Sequence, residues 1–264
     1  VEDRVIEQAI AEAQVSSSSS ISNINITFGG VEYQNVTSPT VFVSSSAISE
    51  KDALFNWQAS VGISPSYQLN SISYGNVFVG VGSTQSLVIS PDGKTWQSSI
   101  IGLTTSSDLK SIISHKNGQQ DIYVSVGSSA TIIRSIGAGN SISAWSNIPL
   151  REERSVPGFG LISNVDSSYT GTLNDVVYSP SYDSYVTVGT AGSIFVGTGI
   201  GTNSFISKTS STLTSLNSVS FSFNTSINSG YFVAVGGNGV ILTSNSGQIW
   251  DIVPVITTQT LNKV

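Results

Sequence analysis

The residues able to do chemistry in this chain are few and widely spread. His115 is its one histidine and there is no cysteine. A histidine-centred triad or metal site would need partners that the sequence does not gather around Ser114-His115-Lys116-Asn117-Gly118, so His115 is expected as a solvated loop residue. Without thiols there is no cysteine nucleophile, thiolate zinc site or disulfide scaffold. Carboxylates paired for glycoside hydrolysis are not assignable either, because Asp166, Asp175, Asp183 and Asp251 fall in turns or at strand ends. The stretch Gly197-Thr198-Gly199-Ile200-Gly201 lacks the following helix and lysine of a phosphate cradle. No catalytic, cofactor-binding or metal-binding residue is therefore assigned, and the chain is expected not to be an enzyme.

What the chain does contain is a phrase that recurs. Leu69-Asn70-Ser71-Ile72, Val77-Phe78-Val79-Gly80-Val81-Gly82 and a closing Trp96 return as Leu109-Lys110-Ser111-Ile112, Tyr123-Val124-Ser125-Val126-Gly127 and Trp145. They return again from Leu173 to Val188-Gly189 and Phe205, and from Leu216 to Val235-Gly236 and Trp250. The leucines step by 40, 64 and 43 residues, the long step carrying an insertion over Pro149–Thr170. Periods of this length with several short β-branched strands each predict an all-β fold of propeller blades. Ile24–Phe28, Val31–Tyr33, Val41–Val43 and Leu54–Trp57 read as a divergent first copy. The count is then five blades, with four copies plus an N-terminal capping segment as the other arrangement. The glycines closing each second strand are expected where backbones approach closely. Trp96, Trp145, Phe205 and Trp250 are expected as wedges between neighbouring blades.

The turn Ser90-Pro91-Asp92-Gly93-Lys94-Thr95-Trp96 resembles the Asp-box of the bacterial-neuraminidase-repeat and YVTN-like β-propellers. Ser244–Trp250 is a looser copy. In that pattern Ser90 and Asp92 hydrogen-bond the turn backbone, Gly93 takes a positive φ, and Trp96 and Trp250 pack inward, so these are structural residues. The family includes sialidases, whose pattern implies three central arginines, a tyrosine nucleophile and acidic partners. Here Arg4, Arg134, Arg151 and Arg154 are the only arginines, and three blades cannot each supply one.

Val1–Gln14 is read as an N-terminal helix with Val5, Ile6 and Ile10 on an apolar stripe, joined by Ser16–Ser20 to the propeller over 21–264. That stripe is the expected partner-docking surface. Arg151-Glu152-Glu153-Arg154, in the one break of the repeat, is a further expected contact, or else a solvated excursion whose charges pair among themselves.

Charged residues make up 10% of the chain, against about 25% in ordinary soluble proteins. The ten Lys and Arg are scattered and the net charge is −6, which argues against nucleic acid and anionic membranes as partners. Asn25-Ile26-Thr27, Asn35-Val36-Thr37 and Asn224-Thr225-Ser226 match the glycosylation pattern by composition alone. The uncharged Ser/Thr/Asn surface, the absence of methionine and cysteine and the start at Val1 suggest processing, or a piece of something longer. They are similar to exposed modules of virion proteins, such as phage tail, baseplate or capsid-decorating components, located on the virion or outside the cell. Other protein subunits are the expected partners and a carbohydrate-binding lectin is the second reading. A photosystem-type assembly factor built on a similar propeller would carry a basic docking patch, and none is visible.

Overall fold

A computed structural model describes residues 10–15, 21–28, 62, 68–98, 107–138, 141–142, 145–156, 160–165, 168–199, 203–225, 229–254 and 256–264. The chain divides into two compact units, Val1–Gln58 and Ala59–Val264. In the first, β1 (Ile10–Val15) pairs antiparallel with β2 (Ile21–Phe28). This corrects the expected helix over its last five residues: Ile10 lies opposite Phe28 in a two-stranded ladder. A helix of that length is marginal alone, whereas a ladder with the β-branched segment Ile24-Asn25-Ile26-Thr27 satisfies backbone groups along its length. Val5 and Ile6 lie outside the described residues.

The second unit is β-propeller-like and among its described residues holds no α-helix. Its first sheet runs β3 (Leu69–Tyr74), β4 (Phe78–Gly82), β5 (Leu87–Ser90), β6 (Gln97–Ser98) in antiparallel order. The second contains β7 (Leu109–Asn117), β8 (Gln120–Gly127) and β9 (Ile132–Ala138), with the short β10 (Ser141–Ile142) and β11 (Ser146–Asn147) both on β9. Next come β12 (Leu150–Val156) and β13 (Gly160–Val165), then β14 (Leu173–Ser179), β15 (Ser184–Gly189), β16 (Ile194–Thr198) and β17 (Phe205–Lys208) of the third sheet. The fourth is β18 (Leu216–Asn224), β19 (Ser229–Gly236), β20 (Ile241–Ser244), β21 (Asp251–Ile252). First strands lie side by side: β3 on β7, β7 on β14, β14 on β18.

Apolar side chains on both faces of each sheet force this stacking, because one small sheet cannot bury both alone. Trp145 packs with Val79, Leu87 and Leu109 between the first two sheets. Phe205 packs with Val124, Ile132 and Leu173 between the second and third, and Trp250 with Val186, Ile194 and Leu216 between the third and fourth. Removing one such ring would cost about 3–5 kcal/mol.

The closing glycines have one shared reason. A Cβ on Gly82, Gly127, Gly189 or Gly236 would stand 1.8–2.2 Å from the carbonyl oxygen of Gln68, Asp108, Thr172 or Ser215, the residue before each leucine. The strands bulge there. Leu69 faces Gly82 while Ser71 faces Val81, and the same shift recurs in the other three sheets. The extra residue in the bulge is Asn70, Lys110, Asn174 or Asn217.

The Pro149–Thr170 insertion is not the irregular excursion expected of it. It forms the β12–β13 hairpin, and Leu150 and Arg151 pair in parallel with Phe205 and Ile206 of β17. The third sheet therefore has six strands.

Candidate functional site

The bulges place polar groups at the start of every first strand. Asn70 Nδ2 donates to the Leu109 carbonyl at 2.7 Å and Asn174 Nδ2 to that of Leu216 at 2.8 Å, each tying one sheet to the next. One residue further on come Ser71, Ser111, Asp175 and Ser218. Ser71 Oγ accepts from the Ile112 amide at 3.2 Å. Asp175 is buried, 4% exposed, and its carboxylate collects donors from three places. Ser111 Oγ of the second sheet lies at 2.7 Å, Ser218 Oγ and the Val219 amide of the fourth at 2.8 and 3.1 Å, and Lys263 Nζ at 2.8 Å. The Val176 amide adds a further bond at 3.1 Å. Such satisfaction is what a buried carboxylate requires. Four of these five bonds reach from the third sheet to the second sheet, the fourth sheet or the C-terminal segment.

Sequence reasoning missed this cluster, although two signals were present. The third residue of each phrase is polar in all four copies, and Leu261-Asn262 repeats the Leu-Asn pair 45 residues after Leu216.

His115 is not the solvated loop residue expected. It lies on β7 and reaches the third sheet, its ring stacked on Tyr178 with centroids 3.6 Å apart and planes 10° from parallel. Its Nε2 stands 2.5 Å from the Tyr185 hydroxyl, and Tyr178 Oη donates to Asp183 Oδ1 at 2.9 Å. Burial pushes the imidazole below its usual value, against the opposing pull of the Lys116 carbonyl, Asp183 and Asp121. Burial, then Asp183, pushes Tyr178 up to about 12, and burial raises Tyr185 as well. His115 Nδ1 lies 3.4 Å from the Lys116 carbonyl, an acceptor only, so the tautomer protonated at Nδ1 suits both contacts and leaves Nε2 to accept from Tyr185 Oη. The sequence offered no sign of this, because the His115 ring of the second sheet meets the Tyr178 and Tyr185 pair of the third.

The turn at 90–96 is held by its own side chains. Ser90 Oγ accepts from the Gly93 amide at 2.8 Å, and Asp92 Oδ1 accepts from the Lys94 and Thr95 amides at 2.8 and 2.9 Å. The Thr95 and Lys94 amides, then Ser90, hold the Asp92 carboxyl below its usual range. Gly93 has φ +73° and Trp96 Nε1 donates to its carbonyl at 3.1 Å. In the copy, Ser244 Oγ accepts from the Gly247 amide at 2.8 Å and Trp250 Nε1 donates to Gly247 O at 2.8 Å. These groups, too, are spent on the turn itself.

Open chemistry lies at the rim between the third and fourth sheets. A cavity of about 440 Å³ is lined by Gly192, Ser207, Lys208, Ser211 and Leu213. A neighbouring one of about 330 Å³ shares Ser207, Lys208 and Ser211 with it and adds Gln248, Ile249 and Trp250. Leu213 is 88% and Ile249 75% exposed. Hydroxyls therefore line a groove with two bare aliphatic flanks. Lys208 Nζ is 3.5 Å from Glu153 Oε2 of the insertion hairpin. Of the expected contact residues, Arg151, Glu152, Glu153 and Arg154 all lie on β12, and Glu153 reaches Lys208 of this groove. Ile10 lies in the first unit.

Among the described residues no three His, Asp or Glu side chains are grouped to hold a metal ion, and no helix is long and apolar enough to cross a membrane. Arg4 and Asp166 lie outside the described residues.

No family model and no curated protein matches the chain. Among solved structures it is similar to one described as YCF48 bound to a D1 peptide, at 17% identity and a TM-score of 0.47. The match covers 78% of this chain and 56% of that one, so the chain spans little more than half its length.

Proposed function

We propose that this chain is a non-catalytic binding and structural module on a five-bladed ring, a surface component of a larger assembly such as a virion, with another protein as its partner. The observation that carries the binding role is the rim groove. Its flanks, Leu213 and Ile249, are among the most exposed aliphatic side chains of the second unit. They lie beside hydroxyls and one lysine paired with Glu153, which suits an apolar contact with a polar surround. Against catalysis stands the commitment of Asp175, His115, Tyr178 and Asp92 to the fold.

Five places rather than four are supported at both ends of the row of sheets. Leu69 and Ile72 are 37% and 54% exposed, whereas their counterparts Leu109, Leu173, Leu216 and Ile112, Val176, Val219 are 0–4% exposed, each covered by the preceding sheet. The apolar face left exposed on the first sheet is the one on which a fifth blade of the ring would stack. Placement on a virion or outside the cell rests on composition alone.

A photo-reactive residue at position 249, introduced into the protein in its native assembly, tests the role. A single cross-linked protein partner, lost when Leu213→Asp is added, is the expected result. Absence of any protein cross-link would overturn it. The second reading, a lectin, draws on the hydroxyls of Ser207, Thr209 and Ser211 and the amide of Gln248, and saturable binding on a glycan array that Gln248→Ala abolishes would favour it.

A further inference from the structure

Residues 257–264 carry no strand assignment, yet three of their contacts repeat ones made at the start of a full sheet. Asn217 Nδ2 donates to Leu261 O at 2.9 Å, as Asn70 does to Leu109 O and Asn174 to Leu216 O. The Val264 amide reaches Ser218 Oγ at 3.3 Å, as the Ile112 amide reaches Ser71 Oγ and the Val219 amide reaches Asp175 Oδ2. A Cβ on Gly239 would stand 1.7 Å from Thr257 O, as one on Gly192 would stand 2.1 Å from Thr212 O, four residues before Leu216. Three independent bonds and contacts therefore put Leu261 in register as a fifth member of the leucine series. Lys263 then occupies the place held by Ser71, Ser111, Asp175 and Ser218.

The fifth place differs from the other four in two ways. Its polar group is a cation, and it crosses to the one anion of the series, with Lys263 Nζ 2.8 Å from Asp175 Oδ2. Among the described residues the segment is also thinly held. No described strand pairs with it, Asn262, Lys263 and Val264 are exposed, and its backbone bonds to the fourth sheet are Leu261 N to Gly236 O at 2.9 Å and the Val264 contact. The Lys263 side chain is 74% exposed while that of Asp175 is 5% exposed, so water reaches the pair from the lysine side only.

We propose that residues 257–264 are the closing strand of the ring and act as a latch: Lys263 locks it on Asp175, and the strand leaves and returns as a unit while the four sheets stay folded. This rests on the five-place reading. Release opens a seam beside the fourth sheet and bares the polar starts of β14 and β18. Local openings of this kind are expected where few apolar contacts and exposed backbone bonds hold a segment.

Amide hydrogen exchange on the full chain tests it. The Leu261 and Val264 amides should exchange at least about 100-fold faster than the β19 amides of Ala234 and Val235, yet slower than in a free peptide. Lys263→Ala should speed Leu261 and Val264 roughly three- to tenfold and leave β19 unchanged, and Lys263→Arg should restore protection. Exchange of the segment at the β19 rate, with the same denaturant dependence, would overturn the latch, as would free-peptide rates in the unmodified chain. Failure of the five-place reading shows separately: a thiol in Ile72→Cys would react freely while Leu261 and Val264 kept their protection.

Discussion

Replacing Asp175 by alanine removes the acceptor on which the second, third and fourth sheets converge. Two serine hydroxyls, two backbone amides and the Lys263 ammonium lose a partner in one step. The hydroxyls can turn to other acceptors and Lys263 can swing to water. The Val176 and Val219 amides are fixed by their strands. A buried donor left unpaired costs about 1–3 kcal/mol, and two fixed amides are left so, while the 74%-exposed Lys263 turns to water and adds little. We take about 3–5 kcal/mol as the total, the middle of the range for two such amides. For a unit of this size each kcal/mol lowers the melting temperature by roughly 2–4 °C, which gives a fall of about 6–20 °C. Asp175→Asn keeps the shape and one acceptor oxygen but presents an amide to Lys263 and the Val219 N–H, and should fall between the two. Differential scanning calorimetry at pH 7 on the three proteins reads this directly. An alanine variant melting within about 1 °C of the unmodified chain would refute the assignment of Asp175 as the joint of three sheets.

Other expectations follow from the same contacts. Gly127→Ala should prevent stable folding of the second unit, because its Cβ would stand 2.0 Å from Asp108 O; Gly118→Ala, with φ +59° and nothing within 4 Å, should cost only about 1 kcal/mol, and urea unfolding compares the two. Ala191→Asn should stabilise by a few tenths of a kcal/mol up to about 1, since residue 191 has φ 54° as Asn238 has φ 53° in the fourth sheet and asparagine tolerates that region better than alanine; thermal melting checks it. Trp250→Phe loses the bond to Gly247 O and part of a buried ring, and should cost about 1–3 kcal/mol by chemical denaturation. His115 is held below its ordinary value in the fold, so the unfolded chain takes up a proton first as pH falls. Its contribution is present in full above the unfolded value of about 6.5 and is lost as pH drops through that value toward the folded one; His115→Phe should flatten this part of a stability-against-pH curve.

The repeated leucines mark the starts of β3, β7, β14 and β18, and the glycines that close the second strands have their steric reason in the carbonyl facing each of them. Period-2 alternation and turn residues carry that information locally. The insertion hairpin is harder to read: Arg151–Val156 pairs locally with β13, but the hairpin joins the third sheet only through Leu150 and Arg151 on β17, some fifty residues downstream. Ile10–Val15 shows the ambiguity of short segments: its apolar residues fit one helix face, but a ladder partner decides otherwise. The polar joint at Asp175 and the ring cluster at His115 depend on which residues of different sheets meet, and spacing within one copy does not encode that. Lys263 was visible only as the third member of one more Leu-Asn phrase.

The most direct test of the five-place ring uses the absence of cysteine from the chain. Ile72→Cys and Ile112→Cys each introduce a single thiol at the same position of neighbouring sheets, the second under the cover of the sheet before it. The proposed five-place ring predicts that both react with a small alkylating reagent at least about 100-fold more slowly than a free thiol, because a fifth blade would stand over Ile72 as the first sheet stands over Ile112. Protection of Cys at 112 together with free-thiol reactivity of Cys at 72 would contradict it.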